Sequence, residues 1–182
     1  MITVVTLSSL AFVKKSVIPE DIRANDELIF KRMLSSAQEG DSSSELQIGN
    51  YYAEGEKVIR DEVKAAEWYK KAALHDNTQG QYQYGNVLLK GIGVLQNYKE
   101  AVLWIEKAAR KGNKNAQYSM GDIYRYKTGV EADPRHAYMW FSLAAGQGLK
   151  EAITARDSME KLLSQSEIAA AQEEARKMHE GG

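Results

Sequence analysis

The sequence predicts an all-α fold, a right-handed α-α solenoid built from helix-turn-helix repeats. Three observations predict it: residues recur at a fixed step of 36, each unit carries two helical patterns, and the 182 residues include only 2 prolines. Proline removes a backbone donor and clashes with the preceding helical turn, so its scarcity suits a mainly helical chain. Self-similarity at a period of this length is typical of stacked repeats.

Six columns of the repeat hold the same residue in all three copies, at steps of 36 residues. They contain one tryptophan, one glycine, one valine and three alanines: Trp68, Trp104 and Trp140; Gly49, Gly85 and Gly121; Val58, Val94 and Val130; Ala65, Ala101 and Ala137; and the pairs Ala72–Ala73, Ala108–Ala109 and Ala144–Ala145. Chance would give fewer than about one such column in a unit of this length. The predicted organisation is an N-terminal segment (1–25), a leading half-repeat helix (26–41), three repeats (42–77, 78–113 and 114–149) and a C-terminal capping helix pair (150–182).

The first helix of each repeat is predicted from the apolar residues around the glycine. In the first copy, Ile48, Gly49 and Tyr52 stand at i, i+1 and i+4, which places them on one helical face. A glycine inside a helix costs about 1 kcal/mol relative to alanine. Its recurrence predicts that the partner helix, or the tryptophan of that helix, approaches closely at this point.

The second helix is predicted from its first residue and its apolar stripe. It starts at a residue that caps helices well: Asp61, Asn97 or Asp133. In the first copy, Ala65, Trp68 and Ala72 stand at i, i+3 and i+7 and form an apolar stripe. We therefore predict that the three tryptophans are buried in the core. The second helices end near Asp76, Gly112 and Gly148.

The two ends of the array are predicted to be degenerate. Asp26–Glu39 has the pattern of a second helix, with Arg32 in the tryptophan column. Loss of the tryptophan suits a terminal unit, which has a neighbour on one side only. At the other end we predict a closing helix pair at Glu151–Leu163 and Glu167–Met178, with a capping box that begins at Ser164.

Composition excludes several function classes. Lys and Arg number 24 and Asp and Glu 25, so the net charge of −1 gives no electrostatic attraction to nucleic acid or to an anionic membrane. The absence of cysteine excludes disulfides, thiolate zinc sites and cysteine nucleophiles. We expect no cofactor and no metal. A cytoplasmic location is predicted, with a periplasmic or secreted location as the alternative.

The N-terminal residues Ile2–Val13 are apolar, but they are fewer than the roughly 20 residues that a membrane span needs. No basic segment precedes them and no A-x-A-like cleavage site follows. They are predicted to form a packing segment or a strand, with a degenerate signal peptide as the alternative. No membrane span is predicted.

The repeats resemble the Sel-one-like (Sel1-like) repeat family, a relative of the tetratricopeptide repeat. The motifs that carry the resemblance are Ala-Gln ahead of Gly, Gly-x-x-Tyr, Gly-x-Gly-Val, Asp/Asn-x-x-x-Ala-x-x-Trp and Lys-Ala-Ala, best seen in residues 90–124 and 61–74. The resemblance covers residues 42–177 and departs from the family at Lys57 and Lys127, which stand where loop glycines belong. It implies a tetratricopeptide-like superhelix and a protein–protein interaction module, an adaptor or regulator without enzymatic activity.

A solenoid of this kind exposes a concave surface lined by the first helix of each pair. Tyrosine and arginine are favoured binding anchors because they bury much area and keep a polar tip. The predicted partner-binding residues are Asn50, Tyr51, Glu54, Tyr82, Asn86, Lys90, Tyr118, Asp122, Arg125 and Tyr126, and Val87 and Ile123 fall on the same edge. The alternative interpretation is that several of these tyrosines only pack between adjacent helices.

Two short motifs of penicillin-recognising serine enzymes occur, S-x-x-K at residues 158–161 and K-T-G at residues 127–129. Their order is the reverse of that in such enzymes, and no S-D-N lies between them, so we interpret both as coincidence. The predicted partner is a heterologous protein, in a sharper version a toxin or effector that this chain neutralises as an inhibitor or immunity protein. The chain itself is predicted to be a monomer or weak oligomer. The alternatives are a serine hydrolase using Ser158 and Lys161, and a self-assembling structural protein.

Overall fold

The computed structural model describes residues 20–180, and the predictions for residues 1–19 lie outside this range. Every regular element in the described range is helical, without a strand, so the all-α prediction is confirmed. The nine helices of this range are α1 (Glu20–Gln38), α2 (Ser42–Glu54), α3 (Glu62–Leu74), α4 (Thr78–Lys90), α5 (Tyr98–Arg110), α6 (Lys114–Tyr126), α7 (Pro134–Gly146), α8 (Lys150–Glu160) and α9 (Gln165–Glu180).

Side-chain caps fix where the helices of the repeats begin. In each of them an Asp or Asn accepts a hydrogen bond from a backbone N–H of the first turn. The second helices are capped by Asp61, Asn97 and Asp133, as predicted, and the first helices by Asp41, Asn77 and Asn113. Because these caps recur at the same step as the core residues, the local signals and the repeat agree.

The order of packing is that of a stacked solenoid. From α1 to α8 each helix packs on the next one along the chain, and each repeat is a helical hairpin. The first helices of repeats 1 and 2, α2 and α4, also touch each other, whereas the second helices α3 and α5 contact each other at most marginally. At the junction of repeats 1 and 2 the first helices therefore approach more closely than the second helices, and a concave surface lined by the first helices stays a prediction.

Each hairpin closes where the repeated glycine meets a bulky side chain. The prediction that the partner helix approaches here is confirmed, but the opposing residue is the one after the tryptophan and not the tryptophan itself. A Cβ built on the glycine would lie 2.4–2.7 Å from that side chain: Tyr69 opposite Gly49, Ile105 opposite Gly85 and Phe141 opposite Gly121. No side chain fits in this space, so the glycine is required for the close approach of the two helices.

The tryptophans differ in burial, and the prediction of three core tryptophans is wrong for two of them. Trp140 is buried, whereas Trp68 and Trp104 are half-buried. The reason is that α9 packs on α7 and covers Trp140, and no described helix covers α3 or α5 in the same way. At the exposed end, the Nζ of Lys71 lies 3.9 Å above the Trp68 ring, a cation–π contact.

The last two helices also differ from the prediction of a closing pair. Both α8 and α9 pack on α7 instead of on each other. Helix α9 buries Ile168, Ala171 and Ala175 against the outer face of α7. The predicted capping box at its start is confirmed: the backbone N–H of Ser164 donates to the Glu167 carboxylate at 2.8 Å, and Ser164 Oγ accepts from the Glu167 N–H at 3.3 Å.

A buried polar column connects successive repeats; it consists of Glu45, Gln81 and Gln117. The side-chain amide of Gln117 donates to the carbonyl of Ala109 in the preceding helix at 3.1 Å, and Gln81 makes the equivalent contact. Glu45 has no such donor, and its carboxylate instead lies 2.8 Å from Nδ1 of His75. The first repeat therefore lacks one inter-repeat hydrogen bond that the other two possess.

The glycine contact makes a stability prediction. Gly121→Ala is expected to lower the free energy of unfolding by about 2–3 kcal/mol, because the new methyl group overpacks the Phe141 ring. Gly146→Ala is the matched control, since nothing lies within 4 Å of the position where its Cβ would stand. The control is expected to raise the free energy of unfolding by up to about 1 kcal/mol through helix propensity. Urea unfolding followed by circular dichroism measures both, and equal effects would contradict the close-contact argument.

The polar column makes a second prediction. Glu45→Gln is expected to raise the free energy of unfolding by about 1 kcal/mol, because it supplies the missing amide donor to the preceding helix. The reverse change in the third repeat, Gln117→Glu, is expected to lower it by about 1–3 kcal/mol, since it leaves the carbonyl of Ala109 without its donor. Thermal and urea unfolding of the two variants measure this, and stabilisation by Gln117→Glu would show that the column has another role.

Candidate functional site

The predicted partner-binding residues lie on α2, α4 and α6, the first helices of the three repeats. Glu54, Lys90 and Tyr126 are exposed and the other seven are half-buried, so all ten are accessible to a partner. Ile123, placed on the same edge by the sequence analysis, is instead buried with 2% exposure. Its side chain packs in the core between repeats 2 and 3, so it is not a surface residue.

Some of the tyrosines on this surface also serve packing. Tyr82 and Tyr118 pack against the core, and the Tyr118 ring lies 5.4 Å from the ring of Phe141. The Tyr51 ring lies 6.1 Å from that of Phe30 on α1. Contact with the core holds each ring in place while part of it faces the groove. Rigid, half-exposed aromatic rings are well suited to binding because little conformational freedom is lost when a partner covers them.

The third repeat brings four of the predicted residues into one cluster on α6. The guanidinium of Arg125 lies 4.7 Å from the centre of the Tyr126 ring and hydrogen-bonds the Tyr126 hydroxyl. One of its nitrogens lies 3.9 Å from Oδ1 of Asp122, which is too far for a hydrogen bond. Tyr118 stands one turn before Asp122 and completes the cluster.

Asp122 carries a carboxylate oxygen that is buried and has no hydrogen-bond partner. In the first repeat the equivalent residue, Asn50, accepts a hydrogen bond of 3.0 Å from the hydroxyl of Tyr69. The residue that corresponds to Tyr69 in the third repeat is Phe141, which has no hydroxyl. Burial raises the pKa of the Asp122 carboxyl and the charge of Arg125 lowers it, with a net upward shift. A carboxylate held at such a cost on a concave surface is typical of a binding site.

A cleft of about 240 Å³ opens where repeats 1 and 2 meet on the same surface. The apolar side chains that line it belong to Ala53, Ala65, Tyr69, Val87 and Ile92, and its polar rim includes Asn86 and Lys90. Burial, together with the nearby charge of Glu54, raises the pKa of Tyr69 to about 12, so its hydroxyl stays protonated and donates to Asn50.

The loop that carries Ile92 is held firmly against the first turn of α3. Gly93 has a φ of +69°, and a Cβ built on it would lie 2.0 Å from the carbonyl oxygen of Glu62. The sequence analysis missed the cleft, although a signal exists: Ala53 and Val87 are the small members of columns that hold Leu89 and Ile123 one repeat later.

A larger cavity, of about 710 Å³, lies elsewhere, between α9 and the ends of α5 and α7. Its basic residues are already paired: Arg110 with Glu106, Lys111 with Asp76, and Arg176 with Glu173 and Glu180. The cavity arises because α9 packs on α7 and leaves the end of α5 partly uncovered. It contains none of the predicted binding residues.

The regular geometry of the three hairpins agrees with the comparison to known families. A family model described as Sel1 repeat matches residues 42–77, 78–113 and 114–149. The chain belongs to the Sel1 repeat family. Sel1 repeat proteins are in general protein-interaction modules of a scaffold type without enzymatic activity.

Solved structures with Sel1 repeats have the same fold. The protective antigen c5321 of uropathogenic Escherichia coli, described as displaying an SLR fold, is 31% identical with a TM-score of 0.77, over 85% of this chain and 33% of the antigen. A Sel1 repeat protein from Oxalobacter formigenes is 31% identical with a TM-score of 0.66, over 69% of this chain and 52% of that one. This chain therefore spans about a third and about half of the lengths of these two proteins. A comparison with the curated proteins finds no match.

The S-x-x-K motif lies outside the concave surface. Ser158 is exposed near the end of α8, where its hydroxyl donates to the carbonyl of Ala155 at 2.6 Å, and Lys161 follows the same helix. Residues 127–129, the K-T-G motif, form the loop after α6. Within the described residues, no group of three or more His, Asp or Glu side chains is arranged to hold a metal. None of the described helices combines the length and the apolar character needed to cross a bilayer.

The raised pKa of Asp122 makes a prediction about stability and pH. Between its ordinary value of 3.8 and its value in the folded protein, the carboxyl binds more protons folded than unfolded. The contribution of this group to stability is therefore complete below the ordinary value and is lost as the pH rises through the folded one. Asp122→Asn removes this loss, so its stability advantage over the wild type is expected to increase as the pH rises above about 4.

Urea unfolding of both proteins at several pH values in this range measures the difference. Phe141→Tyr is a second variant, which supplies a hydroxyl donor equivalent to that of Tyr69 and is expected to stabilise both the wild type and Asp122→Asn, since an asparagine oxygen accepts this hydrogen bond in the Tyr69–Asn50 pair. A difference between wild type and Asp122→Asn that is the same at every pH would show that the carboxyl of Asp122 is not destabilised by burial.

Proposed function

We propose that this chain is a protein-interaction module without enzymatic activity that binds a segment of a heterologous protein in its concave groove. The observation that carries the proposal is Oδ1 of Asp122 on α6, a buried carboxylate oxygen that has no hydrogen-bond partner and lies 3.9 Å from the Arg125 guanidinium. An unpaired buried oxygen lowers stability, and a hydrogen-bond donor from a partner would compensate it. The stability that the free protein loses at Asp122 is then regained only when the partner is bound.

A second set of polar residues, which stand at the position of Asp122 in each repeat, supports the same proposal. Asn50, Asn86 and Asp122 stand 36 residues apart, so each repeat offers one amide or carboxylate group to the groove. An extended segment has unpaired backbone N–H and C=O groups at regular spacing, and such side chains hydrogen-bond them. The half-exposed tyrosines beside the column supply apolar contact area.

The position of Ser158 argues against the hydrolase alternative. Its hydroxyl donates to a backbone carbonyl of its own helix, and the described residues place no activating base against it. Nucleophilic catalysis requires such a base within hydrogen-bond reach. A penicillin-type acylation probe that labels the wild type but not Ser158→Ala would overturn this part of the proposal.

A pull-down from a native lysate tests the groove. The variant that combines Tyr51→Ala, Asn86→Ala and Tyr126→Ala is expected to lose most of the captured partner. It removes one side chain from each repeat: an aromatic ring with its hydroxyl in repeats 1 and 3, and an amide in repeat 2. The matched control combines Glu67→Ala, Lys99→Ala and Leu103→Ala, three exposed positions on the second helices. It is expected to capture as much partner as the wild type.

Circular dichroism must first show that both triple variants keep the helical content of the wild type. If the groove variant is folded and retains its partner, the groove is not the binding surface. If the outer-face control also loses the partner, the loss is not specific to the groove. Light scattering across a concentration series separates this function from self-assembly, for which the apparent mass would rise with concentration.

The identity of the partner defines the narrower form of the proposal. An inhibitor or immunity protein of a toxin or effector remains a prediction, as does the cytoplasmic location. Mass spectrometry of the captured partner tests the first, and fractionation of cells with an antibody to this chain tests the second.

A further inference from the structure

We infer that the cleft between repeats 1 and 2 receives one large apolar side chain of the partner, flanked by a basic residue on the repeat-1 side and an acidic residue on the repeat-2 side. This inference rests on the proposed function and specifies the chemistry of the bound segment. It is argued from the size of the cleft, from the internal comparison between repeats and from the charges at its two walls.

The size of the cleft fits a single side chain. Its volume of about 240 Å³ is below the range of roughly 300–1,000 Å³ that is usual for drug-sized ligands. Its floor is apolar and fixed, since Ala65 and Tyr69 are buried and the Tyr69 hydroxyl is held by Asn50. An apolar group that enters the cleft removes its own surface and that of the floor from water, which is favourable.

A comparison with the junction of repeats 2 and 3 explains why the cleft is open at the junction of repeats 1 and 2. Ala53 and Val87 stand on its walls, and the residues at the same positions one repeat later are Leu89 and Ile123. Ile123 is buried, with 2% exposure, at the junction of repeats 2 and 3. The larger side chains supply at the second junction the apolar volume that the first junction leaves to a guest.

The charges at the cleft define the neighbours of that apolar side chain. Glu54 and Lys90 occupy one column of the repeat, and both are exposed. Lys90 lines the cleft, whereas Glu54 follows the lining residue Ala53 and its charge acts on Tyr69 in the floor. Neither makes an ion pair with another described residue, whereas Arg60 and Glu62 on the rim pair with each other at 2.5 Å. The two walls therefore present opposite charges to a segment that crosses from repeat 1 to repeat 2.

The two charged residues lie at the ends of α2 and α4, which touch each other, and this contact limits the length of the motif. Packed helices lie about 8–10 Å apart, and an extended chain advances about 3.3–3.6 Å per residue. A segment that spans the two walls therefore places its basic and acidic residues about three positions apart, with the apolar residue between them. This is a pattern that a random peptide library can reveal.

The test is a selection of random twelve-residue peptides displayed on phage against the wild-type protein, followed by fluorescence anisotropy with the enriched peptides. Enriched peptides are expected to share a basic, a large apolar and an acidic residue, in this spatial order, within about four positions. Ala53→Leu combined with Val87→Ile fills the cleft with the side chains of the next junction. This variant is expected to weaken binding of the enriched peptides by about 10-fold or more.

A charge-swapped variant tests the direction of the segment. Glu54→Lys combined with Lys90→Glu is expected to prefer synthetic peptides in which the two charged residues are exchanged, reversing the preference of the wild type. The Leu89 column provides a control: Leu89→Ala, at the second junction, is not expected to change the motif that the library yields, although it lowers stability.

The outcomes separate the inference from the proposed function. Peptides that bind the filled variant as well as the wild type, but lose affinity for the groove triple variant, overturn the cleft and leave the groove in place. Peptides that bind both variants unchanged overturn both. A selection that enriches no peptide, or one whose peptides share no apolar residue, also counts against the cleft as the specificity pocket.

Discussion

The contact between the glycine of each first helix and the bulky side chain opposite it is the constraint on which the rest of the structure depends. It sets how closely the two helices of a hairpin approach and therefore the register in which hairpins stack. This contact also affects the surface, because the residue opposite the glycine differs from one repeat to the next. The hydroxyl of Tyr69 donates to Asn50, whereas Phe141 has no hydroxyl and leaves Oδ1 of Asp122 without a hydrogen bond. One buried position thus decides the polar chemistry of the groove.

Polar contacts between repeats complement this apolar one. The amides of Gln81 and Gln117 reach back to the preceding helix, and the Gln147 amide of repeat 3 donates to the carbonyl of Gly112 in repeat 2 at 2.9 Å. In an array whose units touch only their neighbours, such contacts contribute the coupling that makes the stack cooperative. Helix α9 ends the array differently. It packs on the outer face of α7, so α8 has no following helix packed against it as a further repeat would provide.

Sequence reasoning recovered the features that are local or periodic. Helix starts such as Asp61 and Asn97 were predictable because a cap needs only the residues of the first turn. The residue that meets the glycine was not, since a stripe spaced at i, i+3 and i+7 does not separate Trp68 from its neighbour Tyr69. The burial of Trp140 depends on α9, which comes from another part of the chain. The placement of the predicted binding residues on the first helices followed from the repeat. The cleft depends on side-chain volumes compared across repeats, and no single repeat displays it.

The tight seating of Gly93 against Glu62 has a consequence for selectivity. Because the carbonyl oxygen of Glu62 leaves no room for even a methyl group there, the loop beside the cleft is unable to move toward α3 and widen the opening. A rigid mouth imposes an upper limit on the size of a guest and reduces the entropy lost when a guest of the right size enters. Discrimination at such an opening works by exclusion: a side chain too broad for the mouth is rejected by steric clash, however favourable its burial would be.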